Sequence, residues 1–145
     1  MTWFLSALTV LLVDQAAKTV VLRASPNRAG GVPSRWRPRI RATENQRALG
    51  RWLRDRGRLG RWALLLVWAV AAGGSVALLL SYAPFEHTAT RLALGAALGG
   101  ATSNLADVLR RGVVVDFIDL RIWPVFNPAD VAIVGGVGLA LWTLW

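Results

Sequence analysis

Residues 62–82, WALLLVWAVAAGGSVALLLSY, carry no charged side chain over a length that matches the hydrocarbon core of a bilayer. About 20 residues at ~1.5 Å rise cover a core of ~30 Å. Trp62 and Tyr82 stand at the two ends, where interfacial aromatic rings sit. Three other stretches repeat the pattern. Residues 2–22 are apolar except for Asp14, Gln15 and Lys18. A cleaved leader is the rival reading, but it needs a basic start, which is missing, and an unbroken apolar run, which Asp14 interrupts. Residues 91–109, RLALGAALGGATSNLADVL, are rich in Gly, Ala and Ser, which suits close packing between membrane helices. The last span, 128–145, covers about 17 residues, the lower limit for crossing, and opens on Pro128, a residue suited to a first helical turn. The expected fold class is therefore an all-α membrane protein with four transmembrane helices in one domain, 1–145. A hydrophobic content of 54% and a mean hydropathy of +0.44 agree.

Between the first two spans the composition changes. Twelve of the 17 basic residues are Arg between Arg23 and Arg61. Pro26, Gly30, Gly31 and Pro33 break the start of this segment, and residues 24–34 read equally well as a solvated linker. From Pro33 to Thr43, Trp36 and Ile40 give some alternation, which predicts short strands. From Asn45 to Leu59, the apolar Leu49, Trp52, Leu53 and Leu59 stand among Arg, which predicts a short basic amphipathic helix on a membrane surface. The net charge of +9 could suggest nucleic acid, but the flanking spans point instead to anionic head groups. No nucleic-acid partner is expected, and the chain is read as a monomer. With no Cys and one His (His87, beside Glu86 in a short loop), thiol chemistry and a His-rich metal site are excluded.

The chemistry concentrates in residues 100–130. Four of the six Asp residues lie there (Asp107, Asp116, Asp119 and Asp130), with Asn104 and Asn127. An acid near hydrocarbon is costly, so it is usually paired or functional. In the first span, Asp14 and Lys18 are four residues apart and can pair on one helix face. Alternating spans place the end of span one, the end of span three and the start of span four on one side of the membrane. Asp14, Asp107 and Asp130 therefore converge at one interfacial level. Two carboxylates a few ångström apart do not both ionise cheaply; one then serves as base on a water and the other as acid toward a carbonyl. The alternative is that these acids cap helices or pair with Arg110, Arg111 and Arg121.

Three motifs carry a resemblance. DQAAK (Asp14 to Lys18) resembles D-Q-x-x-K, SNLADVLRRGVVVDF (Ser103 to Phe117) resembles G-N-x-x-D-R followed by G-x-V-x-D-F, and FNPAD (Phe126 to Asp130) resembles F-N-x-A-D. In this order the motifs are those of lipoprotein signal peptidase, or signal peptidase II, a bacterial membrane aspartic protease family. The resemblance implies that Asp116 and Asp130 are the catalytic pair. It implies that Asn104, Asp107 and Asn127 orient the pair and hold substrate, and that Asp14 supports the site. Asp119 matches no family position and is read as a surface acid that could stand in for Asp116. Asn45 lies in a partial match, Asn45 to Gly50, to the family's N-x-G-A-A-F, and Lys18 completes the first motif. Ser103 stands where the pattern has Gly, and Val108 where it has Arg.

The implied substrate is a diacylglyceryl-modified prolipoprotein, cut before its lipidated cysteine, with membrane lipids as the other partners and no cofactor or metal. The implied site is a multi-pass protein of the bacterial inner membrane with its active site on the extracytoplasmic face. The strands and basic helix of 23–61 would form a small subdomain there. The positive-inside rule alone would place that Arg-rich side in the cytoplasm. Two other readings stand beside this one: an inactive or retasked relative that binds lipopeptides, and a small proton-coupled transporter relaying through Asp14, Asp107 and Asp130.

Overall fold

A computed structural model of the chain describes residues 1–24, 39–44, 48–81, 87–120, 122 and 124–143. Its elements in chain order are α1 (Thr2–Ala24), β1 (Arg39–Glu44), α2 (Ala48–Ser81), α3 (Thr88–Arg111), β2 (Val115–Asp119) and α4 (Pro128–Trp142). The helices α1 and α3, with the Gly57–Ala77 part of α2, are long and apolar enough to cross a membrane; α4 is apolar but shorter, at 15 residues. The sequence placed all four correctly, with α3 extending a turn earlier and α4 ending before the last residues.

α3 is the central helix. Half of its apolar window is buried, against 17% for α1 and 6% for α2, because α1 and α4 pack on its two sides while α2 touches it lightly. The cause is its small residues. A Cβ on Gly95 or Gly99 would lie 2.2 Å from the backbone oxygen of Trp3 or Ala7 on α1. On the other side, a Cβ on Gly100 would lie 2.5 Å from the Ala129 oxygen, and one on Gly136 of α4 would lie 2.3 Å from the Ala93 oxygen. Backbone thus meets backbone at both contacts, the geometry that small residues permit between membrane helices. At the far end, Thr90 Oγ1 donates to Thr143 Oγ1 at 2.8 Å and joins the start of α3 to the end of α4. The outward faces of α1 and α4 keep Leu12, Val20, Val134 and Leu141 exposed, as helices bathed in hydrocarbon do.

The strand expected between Pro33 and Thr43 is found as β1. It pairs antiparallel with β2, from the connection after α3, in the register Arg39↔Asp119, Ile40↔Ile118, Thr43↔Asp116 and Glu44↔Val115, with an irregularity between Ile40 and Thr43. The 110–127 stretch thus supplies a strand that the sequence reading did not name; its apolar run VVVDFI suits one. The amphipathic helix begins at Ala48 and is set off from the second span by a kink at Gly57, whose φ of 51° and ψ of −119° are not helical and are adopted without strain only by glycine. Asn45, the 24–34 linker and Glu86 lie outside the described residues. His87 is exposed and precedes α3 without capping it through its side chain.

Replacing Gly99 by Leu forces α1 off α3 and is expected to lower stability by more than ~3 kcal/mol, at or beyond the upper end of overpacking costs. Gly74→Ala on α2, where an added Cβ meets nothing within 4 Å, is expected to hold or raise stability. Thermal unfolding of both variants in detergent checks the contrast.

Candidate active site

The site is built where α1, α3 and the α4 start converge. α4 begins with a reciprocal cap. The Asn127 side-chain oxygen accepts the Asp130 N–H at 2.9 Å, the Asp130 Oδ2 accepts the Asn127 N–H at 3.2 Å, and Pro128 fills the first turn. A cap of this kind contributes about 1 kcal/mol to a helix. Here it also fixes where two candidate site residues point. Asn127 is fully buried and its Nδ2 donates to Asp116 Oδ1 at 2.8 Å, to the Val115 oxygen at 3.3 Å and to Asn104 Oδ1 at 3.1 Å. Asn104, from α3, then donates from its Nδ2 to Asp130 Oδ1 at 2.9 Å. Asp116 and Asp130 are therefore joined through two amide side chains in a continuous hydrogen-bonded chain. Asp116 is 1% exposed, whereas Asp130 is partly accessible.

Beneath this chain lies a buried charge network. Lys18 is completely buried, and its ammonium contacts Asp14 Oδ2 at 2.5 Å, Asp107 Oδ2 at 2.7 Å and Asn104 Oδ1 at 3.0 Å. Asp14 also accepts the Ser103 hydroxyl at 2.6 Å and the Ala129 N–H, in the first turn of α4, at 3.1 Å. Asp107 pairs with Arg111, accepts from Gln15 Nε2 at 3.1 Å and takes the Val115 N–H at 3.3 Å. It thus anchors the backbone one residue before Asp116. Buried charges are tolerated when each is paired and hydrogen-bonded, and both acids here meet that condition.

The structure thus brings together Asp14, Lys18, Asn104, Asp107, Asp116, Asn127 and Asp130. The capping and ion-pair alternative also describes part of what is seen: Asp130 caps α4, and Asp14 and Asp107 are ion-paired. Asp119 lies three residues beyond Asp116 on β2, and side chains on a strand alternate between faces. Its backbone position therefore turns it to the face opposite Asp116. Sequence reasoning passed over Gln15 and Ser103 as site components. Gln15 donates to the Ser103 hydroxyl at 2.8 Å as well as to Asp107, so the pair fills the gap between α1 and α3. A polar Gln next to Asp14 in an apolar span was the available signal.

Two apolar grooves open beside the polar chain. One, of about 260 Å³, lies between α2 and α3, lined by Leu64, Trp68, Ala101, Leu105 and Val108, with Asn104 in its wall. The other, of about 450 Å³, lies along β2 and α4, lined by Leu120, Phe126, Val131 and Val134, with Asp130 at its edge.

Residues 6–145 match the family described as Signal peptidase (SPase) II. The chain belongs to the signal peptidase II family. It is 37% identical over 147 residues to the lipoprotein signal peptidase of Teredinibacter turnerae, across 97% of this chain and 84% of that one. It is 59% identical over 63 residues to that of Moorella thermoacetica, a match spanning 43% of this chain and 42% of that one, less than half of the relative's length. A bacterial membrane enzyme solved by the in meso method at 2.3 Å resolution superposes with a TM-score of 0.76 at 26% identity, over 99% of this chain and 87% of that one. The family is one of signal peptidases. Membership gives meaning to two departures from the signal peptidase II pattern. Ser103, where the pattern has Gly, is fully buried and spends its hydroxyl on Asp14. Asp107 lacks the Arg that follows it in the pattern, and Arg111, one helical turn on, pairs with it instead.

Lys18→Met leaves Asp14 and Asp107 without their shared cation. Stability is expected to fall by about 3–5 kcal/mol, the cost of breaking a buried pair from one side. Adding Asp14→Asn removes the stranded carboxylate and leaves Asp107 with Arg111, so the double variant unfolds at a higher temperature than Lys18→Met alone, as thermal melts in detergent will read.

Proposed function

We propose that the chain is a membrane aspartic endopeptidase that removes the signal peptide of diacylglyceryl-modified prolipoproteins, cutting before the lipidated cysteine, with Asp116 and Asp130 as the catalytic pair. The observation that carries this reading is the hydrogen-bonded chain Asp116–Asn127–Asn104–Asp130, with an apolar groove on each flank. The groups between the acids are amides, which donate to one carboxylate and accept elsewhere without adding charge.

In the reaction, a water between the carboxylates gives a proton to one of them as its oxygen attacks the scissile carbonyl carbon. The other carboxyl, protonated, hands its proton to the carbonyl oxygen. The tetrahedral diol collapses: the C–N bond breaks, the departing amine of the lipidated cysteine takes the proton held by the first carboxyl, and a diol hydroxyl returns a proton to the second. Water is consumed and both carboxyls return to their starting forms. Asn127 holds Asp116, and Asn104 holds Asp130, so that neither acid needs to reorganise as charge moves.

The apolar grooves suit the two hydrophobic parts of such a substrate, the signal-peptide side chains and the acyl chains. Asp14 and Asp107 serve the reaction through what they hold: the first turn of α4 and the backbone leading into Asp116. The site faces the extracytoplasmic side of the bacterial inner membrane in this reading, and the Arg-rich 23–61 segment lies against anionic head groups.

Asp116→Asn and Asp130→Asn are each expected to lower cleavage of a lipidated precursor by about a thousandfold or more, with the fold retained, since a proton-transfer group is lost and the shape is kept. Gel-shift assays of the precursor, with melting temperatures alongside, test this. Full activity in either variant overturns the assignment.

A further inference from the structure

The ammonium of Lys18 has three hydrogens and no acceptor. In this structure it has three acceptors: Asp14 at 2.5 Å, Asp107 at 2.7 Å and Asn104 Oδ1 at 3.0 Å. The first two neutralise charge. The third does not, because the Asn104 amide carries none. It does something else. An amide has a donor end and an acceptor end of nearly the same shape, and only the surroundings decide which end points where. Asn104 turns its oxygen toward Lys18 and toward Asn127 Nδ2, and its NH2 toward Asp130 Oδ1 at 2.9 Å. Reversed, it would set NH2 against an ammonium and against a second NH2, and an oxygen against a carboxylate. Lys18 and Asn127 are fully buried, so no water relieves the first two of those contacts, and each is strongly unfavourable. Asn127 needs no such help, because its own oxygen is held by the Asp130 N–H at the helix cap.

We propose that Lys18 is a positioning residue for the reaction: it fixes the orientation of the Asn104 amide, and thereby keeps an N–H donor directed at Asp130. The inference rests on the assignment of Asp116 and Asp130 as the catalytic pair. It gives the cation on α1 a function beyond neutralising Asp14 and Asp107, and it makes the α1–α3 contact part of the machinery that holds Asp130 ready.

The test compares Lys18→Met/Asp14→Asn with Asp14→Asn alone, as full-length chains in detergent acting on a lipidated precursor. Both leave Asp107 paired with Arg111 and strand no carboxylate of the Lys18 network without a cation, so their difference reports the loss of the contact to Asn104. The expected result is a kcat about tenfold to hundredfold lower in the double variant, with KM within about twofold, the signature of a misdirected group rather than lost substrate binding. Equal kcat values, or a loss confined to KM, overturn the proposal. If the double variant does not fold, Lys18→Gln/Asp14→Asn replaces it. That variant keeps bulk and hydrogen bonding, but its own amide can present either end, so the same fall in kcat is expected. A readout on the unaltered chain needs no variant at residue 18. With Asn side chains labelled by nitrogen-15 and the Asn104 signal assigned by its disappearance in Asn104→Asp, the Asn104 NH2 protons are expected to exchange with water more than about tenfold slower than an exposed Asn amide; equal exchange overturns the proposal. Loss of cleavage in Asp116→Asn and Asp130→Asn together with wild-type-like kinetics in the double variant removes this inference and leaves the peptidase reading intact. Full cleavage in either Asp variant removes the peptidase reading itself.

Discussion

One buried cation holds this architecture together. Lys18 sits with no exposure between an acid of its own helix and an acid of α3, and the two acids in turn hold the first turn of α4 and the backbone entering β2. Hydrophobic burial gives little drive for helix association in lipid, because hydrocarbon outside is as apolar as the side chains inside. Close backbone packing at Gly95, Gly99, Gly100 and Gly136 supplies contact, and the polar network supplies register. A helix pair held by glycines alone can slide or rotate; one with a cation fixed between two carboxylates cannot without stranding charge in a dry interior.

The same network explains how a small chain sets two carboxylates from different elements against one another. Asp116 comes from a strand and Asp130 from a helix start, and each is placed by a different device: β2 by its pairing with β1 and by Asp107, α4 by its cap and by Asp14. Asn104 and Asn127 then link the two. Amides from α3 and from the α4 cap thus reach both acids.

Much of this was legible in the residues. Long apolar runs gave the helices, the i,i+4 spacing gave the Asp14–Lys18 pair, and Pro128 after Asn127 gave the start of α4. Spans of alternating direction brought Asp14, Asp107 and Asp130 to one level without any contact being known. What stayed hidden has physical causes. The pairing of β1 with β2 is a contact between segments some 75 residues apart, and strand patterns carry no address for their partners. The kink between the amphipathic helix and the second span falls at Gly57, one glycine among several in that stretch, and nothing in the pattern singles it out. Gln15 and Ser103 were overlooked because neither carries charge, although both close the hydrogen-bond demands of buried acids.

The brevity of α4 has a consequence for the surrounding lipid. Fifteen residues rise only about 22 Å, short of a hydrocarbon core of ~30 Å. The membrane must dimple toward that helix, or its capped end must lie below the head-group plane. Either way, in the function proposed above the bond to be cut would meet its water at a depth where lipid tails normally begin, and a substrate anchored by its own acyl chains would reach the acids by sliding sideways in the leaflet without being lifted out of it.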